Sequence, residues 1–445
     1  MKSNSTQDRP SWCLWMDKKE KTAHRYWGFV KDPIHGYVKL SETERRILDT
    51  GPVQRLRRIR QLSGAEYVYP AATHTRFEHA IGAMYLAGVV AENLPADLEE
   101  DEKKSLRVAA LLHDVGHAPF SHLFEPMLVK HLGKTHEDMS TRIILESELA
   151  ETLASEGLDA KTVSKLCVGR LEKSKRAFLD QIIQSSIDVD KMDFVLRDSY
   201  HTGAGYGDVD IFRLIYTMDV LNGNLAVDVT ALSTLESFIL ARLESFRTIY
   251  YHRTSRAAQL MLIKALECAK DDFEITQLQS VDEYLALDDS AVWSMLLRND
   301  GAKAIINDLN RRNLLKCAYE KTFFVKDEFL SSLFTKDTVR IQMEEEIAQK
   351  ANVDIASVSI DLPSLPSVPY HSAEELEPMD IPVFYRGSND EKVPQKISEV
   401  SKVVAVLTAY MNIIRVYTTE QNREQVRRAA TSVLGESPLS SLVSY

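Results

Sequence analysis

The sequence has 445 residues, of which 44% are hydrophobic, so the chain can bury a large core, either as two or three structural units or as one large domain with appendages. The formal net charge of -11 disfavours non-specific binding to a polyphosphate backbone, which needs many cationic contacts, and nucleic acid is therefore not an expected partner. The four cysteines are far apart and form no C-x-x-C pair, which argues against a zinc knuckle or a disulfide framework and fits a reducing compartment. No apolar run approaches the about 18 residues of a membrane span and no signal segment opens the chain, so we expect a cytoplasmic protein without membrane contact.

The first part of the chain predicts a tail followed by a helical core. Residues 1–25 are polar and charged, with too little periodic apolar content to fold alone, and they predict a flexible N-terminal tail. Proline is absent from Met127 to Leu362, and the glycine-free stretch between Asn224 and Asp300 carries apolar residues at helical spacing. Between Leu232 and Lys270 one face is apolar, which predicts long packed helices. Residues 26–350 are therefore expected to form a mostly helical core.

The pattern changes beyond Ala351. The proline-rich segment Asp361–Pro369 predicts extended chain, and Ile381–Tyr385 and Ile413–Tyr417 have the composition of strands. Residues 351–445 therefore predict a small α+β lobe.

Three histidines and an aspartate lie close together in the segment Leu111–His122, which begins as an apolar helix. His113 and the adjacent Asp114 can offer an imidazole nitrogen and a carboxylate oxygen to one cation. An adjacent His-Asp pair alone is weak evidence, because most such pairs are surface or capping residues. Further metal-binding side chains occur upstream in His74–His79, which opens an apolar helix, and downstream in Ser186–Asp193. The order His, His-Asp, Asp along the chain predicts a metal site.

Short motifs follow one another in a fixed order along most of the sequence. They are Asp32–Gly36, Gln54–Arg57, Gln61–Leu62, His74–His79, Leu111–His122, Val189–Lys191, Arg197–Asp198, Tyr250–Arg253, Arg312–Cys317 and Ile414–Tyr417. In this order they resemble the SAM-and-HD-domain dNTP triphosphohydrolases of the HD superfamily, from about Phe29 onward, and we expect no SAM domain ahead of them. The resemblance implies a mostly α fold, in which an HD-domain helical core carries a small α+β C-terminal lobe. It also implies hydrolysis of deoxynucleoside triphosphates to deoxynucleoside and inorganic triphosphate.

By this resemblance, four side chains bind a divalent metal ion. They are His79, His113, Asp114 and Asp190. A mixed nitrogen and oxygen set suits Mn²⁺, Fe²⁺ or Mg²⁺ better than a thiolate-seeking ion, with Zn²⁺ and Ni²⁺ as further candidates. Such an ion would polarise a phosphoryl oxygen and lower the pKa of a water, the two difficult parts of hydrolysis at phosphorus.

The resemblance also implies four catalytic residues. His122 is the general acid that protonates the leaving 5′-oxygen, because histidine titrates near neutral pH, and Glu125 orients it. His117 and His136 match further active-site positions, which contact the phosphates or a second ion.

Eight residues match substrate-binding positions of the family. Arg76, Lys191 and Arg242 match phosphate contacts, Gln61 and Leu62 lie against the sugar, Asp198 and Tyr250 match further sugar contacts, and Phe194 replaces a tyrosine of the relatives. A net-acidic chain must concentrate cations locally to hold a triphosphate. Close packing at the sugar would exclude a 2′-hydroxyl, so the resemblance implies a preference for deoxyribose by shape.

A third set matches an allosteric nucleotide site formed between subunits. It comprises Asp49, Gln54, Arg57, Arg213, Arg312 and Lys316. The basic pair that follows the Arg213 helix in relatives is not evident around Val227–Ala231, so the identity of the activator stays open between a dNTP and a guanine nucleotide. The match implies a nucleotide-activated homo-oligomer, with a tetramer as the expected state.

Two other functions remain open at this point. An HD-type phosphodiesterase or metal-dependent nuclease would use the same ions and histidines, and inorganic triphosphate among the products would distinguish the first interpretation from it. A dNTP-sensing regulatory protein would bind nucleotide with incidental turnover, although the presence of His122 and Glu125 favours turnover. The arginines from Arg55 to Arg60 could also be the solvated face of a helix.

Overall fold

The computed structural model describes residues 26–171, 176–272, 280–325, 337–362, 364–366, 381–406 and 410–436. The predicted tail at 1–25 lies outside the described residues. Within them the chain is mostly helical, which confirms the predicted fold class. The helices are α1 Glu42–Leu48, α2 Gly51–Arg55, α3 Arg76–Asn93, α4 Glu100–Leu112, α5 Glu125–Leu132, α6 His136–Glu146, α7 Glu148–Ser155, α8 Ala160–Cys167, α9 Phe178–Ile183, α10 Val189–Thr202, α11 Ile211–Tyr216, α12 Leu232–Ser245, α13 Arg253–Cys268, α14 Val281–Leu285, α15 Asp289–Arg298, α16 Asp300–Asn310, α17 Asp337–Ala351, α18 Ile397–Val400, α19 Lys402–Val406 and α20 Arg423–Leu434. The strands are β1 Gly28–Asp32, β2 Gly36–Leu40, β3 Met218–Leu221, β4 Asn224–Asp228, β5 Lys316–Val325, β6 Ser359–Asp361, β7 Ser364–Pro366, β8 Pro382–Arg386, β9 Lys392–Lys396 and β10 Tyr410–Thr418.

Helix α3 lies in the main hydrophobic core and packs against α4 and α10. Its first turn is closed by a capping box between Thr75 and Glu78, which satisfies backbone N–H groups at the helix start. Gly82 makes the close approach to α10 possible, since a Cβ there would lie 1.9 Å from Oδ1 of Asp193. Small residues on α3 therefore bring the active-site side chains of three helices together.

The C-terminal part of the chain contributes to two sheets. Strand β8 pairs in parallel with β4, with Val383 opposite Val227, and extends the β3–β4 hairpin of the main core. Strand β10 lies between β5 and β6 and also pairs with β7. The predicted strands Ile381–Tyr385 and Ile413–Tyr417 correspond to β8 and β10, apart from small shifts at their ends.

A second hydrophobic core lies under the β10 sheet. Helices α17 and α20 cover it, and its members include Tyr319, Ile347, Val416 and Val426. This core takes residues from both sides of position 350. The division of the chain into 26–350 and 351–445 stays a prediction.

The stretch Leu232–Lys270 forms two helices, α12 and α13, joined by a π-helical turn at Phe246–Tyr250. Such turns are rare in proteins, and many of those that occur lie at functional sites, where the added residue reorients the side chains around it. Here the turn carries Tyr250, whose hydroxyl donates to the Asp198 carboxylate.

Among the helices in the described ranges, none has the length together with the apolar character that crossing a membrane requires.

Candidate active site

The four side chains predicted to bind metal lie together. Nε2 of His79 is 3.3 Å from Nε2 of His113, 3.0 Å from Oδ1 of Asp190 and 3.7 Å from Oδ2 of Asp114. Nε2 of His113 is 3.3 Å from Oδ1 of Asp114 and 3.7 Å from Oδ1 of Asp190. Atoms bound to one ion at about 2.0–2.2 Å lie roughly 3–3.5 Å from one another, so these separations fit a shared cation.

Each of these four residues is placed by a helix end or a first turn. His79 lies in the first turn of α3, His113 is the C-cap of α4, and Asp190 lies in the first turn of α10, where Asp188 is the N-cap. Asp114 follows the α4 cap directly. Nδ1 of His113 lies 2.8 Å from the carbonyl oxygen of Ala110, which directs its Nε2 into the cluster.

The electrostatics of the cluster favour a cation. Burial alone would lower the pKa of His79, but the carboxylates of Asp190 and Asp193 outweigh it and raise that pKa to about 10. Burial likewise opposes ionisation of Asp114, yet the Arg76 guanidinium beside it holds its pKa well below the usual range. The field that keeps a proton on His79 would equally attract a metal ion, which must displace that proton to bind.

Asp193 fixes the orientation of His79. Its Oδ2 lies 2.8 Å from Nδ1 of His79 and accepts from Nε of Arg197 at 2.7 Å, while its Oδ1 lies 2.6 Å from Nε2 of His35 and accepts from Nη2 of Arg197 at 2.8 Å. Arg197 also donates to Asp32, so the positive charge is shared between two carboxylates. Metal-binding histidines commonly donate their other N–H to a carboxylate in this way. Sequence reasoning missed these partners, although Asp193 stands one helical turn after Asp190.

A second group of imidazoles comprises His117, His122 and His136, whose nitrogens lie within 4.8 Å of one another. The rings of His117 and His136 are stacked, with centroids 4.1 Å apart and 16° between planes. The in-plane lone pairs of the two rings therefore lie in separate, nearly parallel planes and cannot both point directly at one ion. The rings of His79 and His113 meet instead at 76°. Ring orientation therefore favours the His79 group over this one as the metal site.

Glu125 joins two of these histidines. Its Oε2 lies 3.1 Å from Nδ1 of His122, and its Oε1 lies 2.6 Å from Nδ1 of His136. Burial would raise the pKa of Glu125, but the two histidines lower it below its usual range, so the carboxylate stays ionised. Both histidines keep Nε2 available for other groups. The side chain of His122 is 65% exposed and can be reached by a substrate.

His117 lies between the two groups. Its Nε2 is 3.3 Å from Oδ1 of Asp114, on one side, and its ring stacks on His136, on the other. Burial and the nearby Arg76 hold the pKa of His117 well below its usual value, so the imidazole is neutral. Gly116 allows this packing, because a Cβ there would lie 2.2 Å from the carbonyl oxygen of His136.

The predicted sugar-binding residues form one wall. Oδ1 of Asp198 lies 2.9 Å from Nε2 of His74, and Asp198 accepts a hydrogen bond from the Tyr250 hydroxyl. Leu62 is buried in a small apolar cluster against which Tyr250 packs. The predicted set is therefore brought together here, and the side-chain oxygen of the neighbouring Gln61 is buried without a hydrogen-bond partner among the described residues.

The predicted phosphate-binding cations are engaged with carboxylates or with rings. Arg76 donates to Asp114 and, at 2.7 Å, to the Ser121 hydroxyl. Lys191 donates to Asp188 at 2.6 Å. Arg242 is partly buried, and its guanidinium lies 5.8 Å from the ring centroid of Phe246. Phe194, at the position of a tyrosine in relatives, lies edge-on to Tyr250 with centroids 6.3 Å apart.

The predicted allosteric residues fall into separate regions of one chain. Arg57 lines a cleft of about 890 Å³, while Arg312 and Lys316 line a smaller pocket of about 80 Å³ together with Arg253 and Arg423. The small pocket is rich in cations, which suits an anionic ligand.

The remaining members of the set form local contacts. Asp49 pairs with Arg45 at 2.9 Å, and the Gln54 side chain donates to the carbonyl oxygen of Leu48 at 2.9 Å. Arg213 donates to the carbonyl oxygen of Thr230 at 2.9 Å. Gln54 also accepts from Nε of Arg57 at 2.9 Å, so two of the six residues are in direct contact within one chain.

Comparison with known proteins shows the family. A model of the HD domain matches residues 76–198, and a model of the HD associated region matches residues 209–440, just over half of the chain. An uncharacterized protein of Methanocaldococcus jannaschii is 33% identical over 304 residues, which cover 66% of this chain and 60% of that protein. The deoxynucleoside triphosphate triphosphohydrolase SAMHD1 homolog of Dictyostelium discoideum is 31% identical over 307 residues, covering 64% and 59%. The SAMHD1 of Gallus gallus is 26% identical, covering 88% and 72%.

The match to the first two relatives thus spans about 60% of their length. Among solved structures, a hypothetical protein from Aquifex aeolicus has a TM-score of 0.74 at 28% identity and covers 90% of this chain and 99% of its own. A phosphohydrolase from Bacteroides thetaiotaomicron has a TM-score of 0.69 at 22% identity, covering 88% and 99%, and supports the fold alone. The predicted resemblance to the SAM-and-HD-domain enzymes is confirmed. The chain belongs to the HD-domain family, with an HD domain followed by the HD associated region.

Proposed function

We propose that the chain is a metal-dependent hydrolase that cleaves deoxynucleoside triphosphates to deoxynucleoside and inorganic triphosphate. The observation that carries the proposal is the position of His117, which connects the four-residue metal cluster through Asp114 to the His122, Glu125 and His136 group. A site for a cation and a site for a proton donor thus lie side by side, which hydrolysis of a phosphoanhydride or phosphoester requires.

His79, His113, Asp114 and Asp190 would hold the divalent ion. The ligand separations of 3.0–3.7 Å and the absence of cysteine from the cluster suit Mn²⁺, Fe²⁺ or Mg²⁺, with Zn²⁺ and Ni²⁺ as further candidates. When bound, the ion supplies Lewis acidity and an activated water.

His122 would protonate the leaving 5′-oxygen. Glu125 holds its Nδ1, so the proton to be transferred sits on Nε2, at the exposed end of the ring. The ionised Glu125 would also hold the ring in the orientation that turns Nε2 toward the substrate. Neutral His117 and the adjacent His136 would contact the phosphates.

The sugar would lie against Leu62 and Tyr250. Burial and the Asp198 carboxylate raise the pKa of Tyr250 well above its usual value, so its hydroxyl stays protonated and remains bonded to Asp198. Because Tyr250 and Asp198 are engaged with each other, the preference would rest on close packing of the sugar against Leu62 and Gln61, which would leave an added 2′-hydroxyl no room. This supports a preference for deoxyribose.

Nucleotide activation and tetramer formation belong to the same proposal. The predicted regulatory residues lie on several segments of the chain, and Arg312 and Lys316, which line the cationic pocket, would contact an anionic activator bound together with another subunit. Binding that favours the assembled state would raise activity with both activator and protein concentration. We place the activity in the cytoplasm.

Product analysis tests the proposal. The protein, freed of metal and reloaded with one divalent ion at a time, is incubated with each dNTP and each NTP, and the products are separated by ion-exchange chromatography and ³¹P NMR. Intact triphosphate with a deoxynucleoside is the expected result. Release of orthophosphate or pyrophosphate, cleavage of oligonucleotides or cyclic dinucleotides in place of dNTPs, or tight dNTP binding without turnover under every metal would refute it.

A further inference from the structure

The carboxylate of Asp289 fastens two loops that meet at the candidate active site. Its Oδ1 accepts from the backbone N–H of Phe120 at 2.7 Å, and its Oδ2 accepts from the backbone N–H of Arg60 at 2.9 Å. Asp289 is the first residue of α15, so the helix gives it a fixed base. The neighbouring Asp288 has a different task, because it caps α15 and pairs with Arg58.

One of the two loops has an unusual backbone. Phe120 and Ser121 are consecutive non-glycine residues with φ of 58° and 57°, in the left-handed region. Such residues are strained and persist only where their surroundings hold them. The Ser121 hydroxyl donates to the carbonyl oxygen of Arg60 at 2.6 Å, so the loop is tied to the Arg60 segment at a second point beside Asp289.

The two loops carry different parts of the proposed machinery. His122 directly follows the left-handed pair, and Gln61 and Leu62 directly follow Arg60. The two hydrogen bonds of Asp289 therefore link the loop that carries His122 to the loop that carries Gln61 and Leu62.

We propose that Asp289 is a positioning residue that holds His122 in register with the sugar wall. The inference rests on the proposed function, in which His122 is the acid. It assigns Asp289 no contact with substrate. A displacement of about 1 Å between reacting groups can cost about 100-fold in rate, so losing half of this fastening should reduce turnover strongly.

The test is Asp289→Asn, which keeps shape but turns one carboxylate oxygen into a donor that faces a backbone N–H. We expect bound metal to be unchanged and kcat on dNTPs to fall about 10- to 100-fold. On p-nitrophenyl triphosphate, whose leaving group needs no proton, the fall should be several-fold smaller. The ratio of dNTP to NTP turnover should also decrease. Asp288→Asn is the matched control, because it changes the charge of the adjacent residue and keeps an oxygen for the helix cap.

The outcomes separate the two claims. Wild-type protein that releases no triphosphate from any dNTP refutes the proposed function. If the wild type is active, two results refute the inference. One is a kcat of Asp289→Asn on dNTPs equal to that of Asp288→Asn, and the other is an equal loss of kcat on dNTPs and on p-nitrophenyl triphosphate. If Asp289→Asn does not fold, Ser121→Ala is used instead, because it removes the hydrogen bond from Ser121 to the Arg60 carbonyl oxygen. We again expect a smaller loss of kcat on p-nitrophenyl triphosphate than on dNTPs. An equal loss on both substrates would again overturn it.

Discussion

Replacing Asp193 by asparagine should weaken metal binding although it leaves all four proposed metal ligands in place. The carboxylate accepts four hydrogen bonds, one each from His35 and His79 and two from Arg197. An asparagine has one oxygen, so its amide nitrogen would face one histidine and one guanidinium N–H in either orientation. Loss of such an outer partner typically lowers metal affinity about 10- to 100-fold, equivalent to about 1.4–2.7 kcal/mol.

The same substitution should also destabilise the fold. The Arg197 side chain is fully buried, and without Asp193 its charge is balanced by Asp32 alone. Breaking a buried ion pair by removing one partner costs about 3–5 kcal/mol, and the retained shape of asparagine should place the loss near the lower end. Glu424→Gln is the matched control, since it neutralises an exposed carboxylate that pairs with helix arginines, and exposed pairs of this kind contribute little to stability.

Calorimetry can separate the two effects. At pH 8 the metal-free His79 is protonated, because its pKa is raised to about 10, and binding of metal to Nε2 must release that proton. Affinity should therefore rise with pH through this range. Asp193→Asn removes one of the two carboxylates that raise this pKa, so fewer protons should be released per ion, measured from the buffer dependence of the binding enthalpy. Unfolding in urea with chelator present gives the stability term alone. Unchanged affinity and unchanged proton release in a destabilised variant would show that Asp193 supports only the fold.

Three further outcomes are expected. His122→Ala should retain the metal ion and lower kcat by about 10²-fold or more, and an unchanged kcat would assign the acid elsewhere. Leu62→Ala should narrow the preference for dNTPs over NTPs, since it opens the sugar wall, and a constant kcat/KM ratio would remove that wall from the argument. Burial raises the pKa of the Cys167 thiol and shields it, whereas Cys268 is exposed. Mass spectrometry after brief alkylation of native protein should find Cys268 modified and Cys167 intact, and early modification of Cys167 would contradict its packing.

The helical core and the metal cluster were predictable because both leave local signals. Helix α3 is apolar over several turns, α12 shows apolar residues at helical spacing, and His113 next to Asp114 draws attention to the segment that holds them. The β3–β4 hairpin was missed, although Asn222-Gly223 is a strong hairpin signal, and both residues adopt positive φ. The apolar residues on either side of Asn222-Gly223 also fit a helical spacing, and the two-residue turn between the strands was therefore not predicted.

The supporting contacts leave no such signal. His35 and Asp193 meet across 158 positions, and Asp289 and Phe120 across 169. Neither pair has a spacing that local structure prefers, and a lone carboxylate is more often a surface residue or a cap. The packing of helices around α3 and α15 brings these groups together, so their partners follow from tertiary structure, although His35 itself lies in the Asp32–Gly36 motif.

The net negative charge of the chain is compatible with an anionic substrate, because carboxylates at the site are paired with histidines or with arginine. Glu125, Asp193 and Asp198 each accept from a site histidine, and Asp193 is further neutralised by Arg197. Carboxylates paired in this way fix the orientation of the imidazoles they hold, and a carboxylate that also pairs with a cation contributes little net negative field. A bound dication would displace the proton of His79 and so add one net positive charge to the site. The local potential at the site is therefore set by these pairings, and the net charge of -11 does not predict its sign.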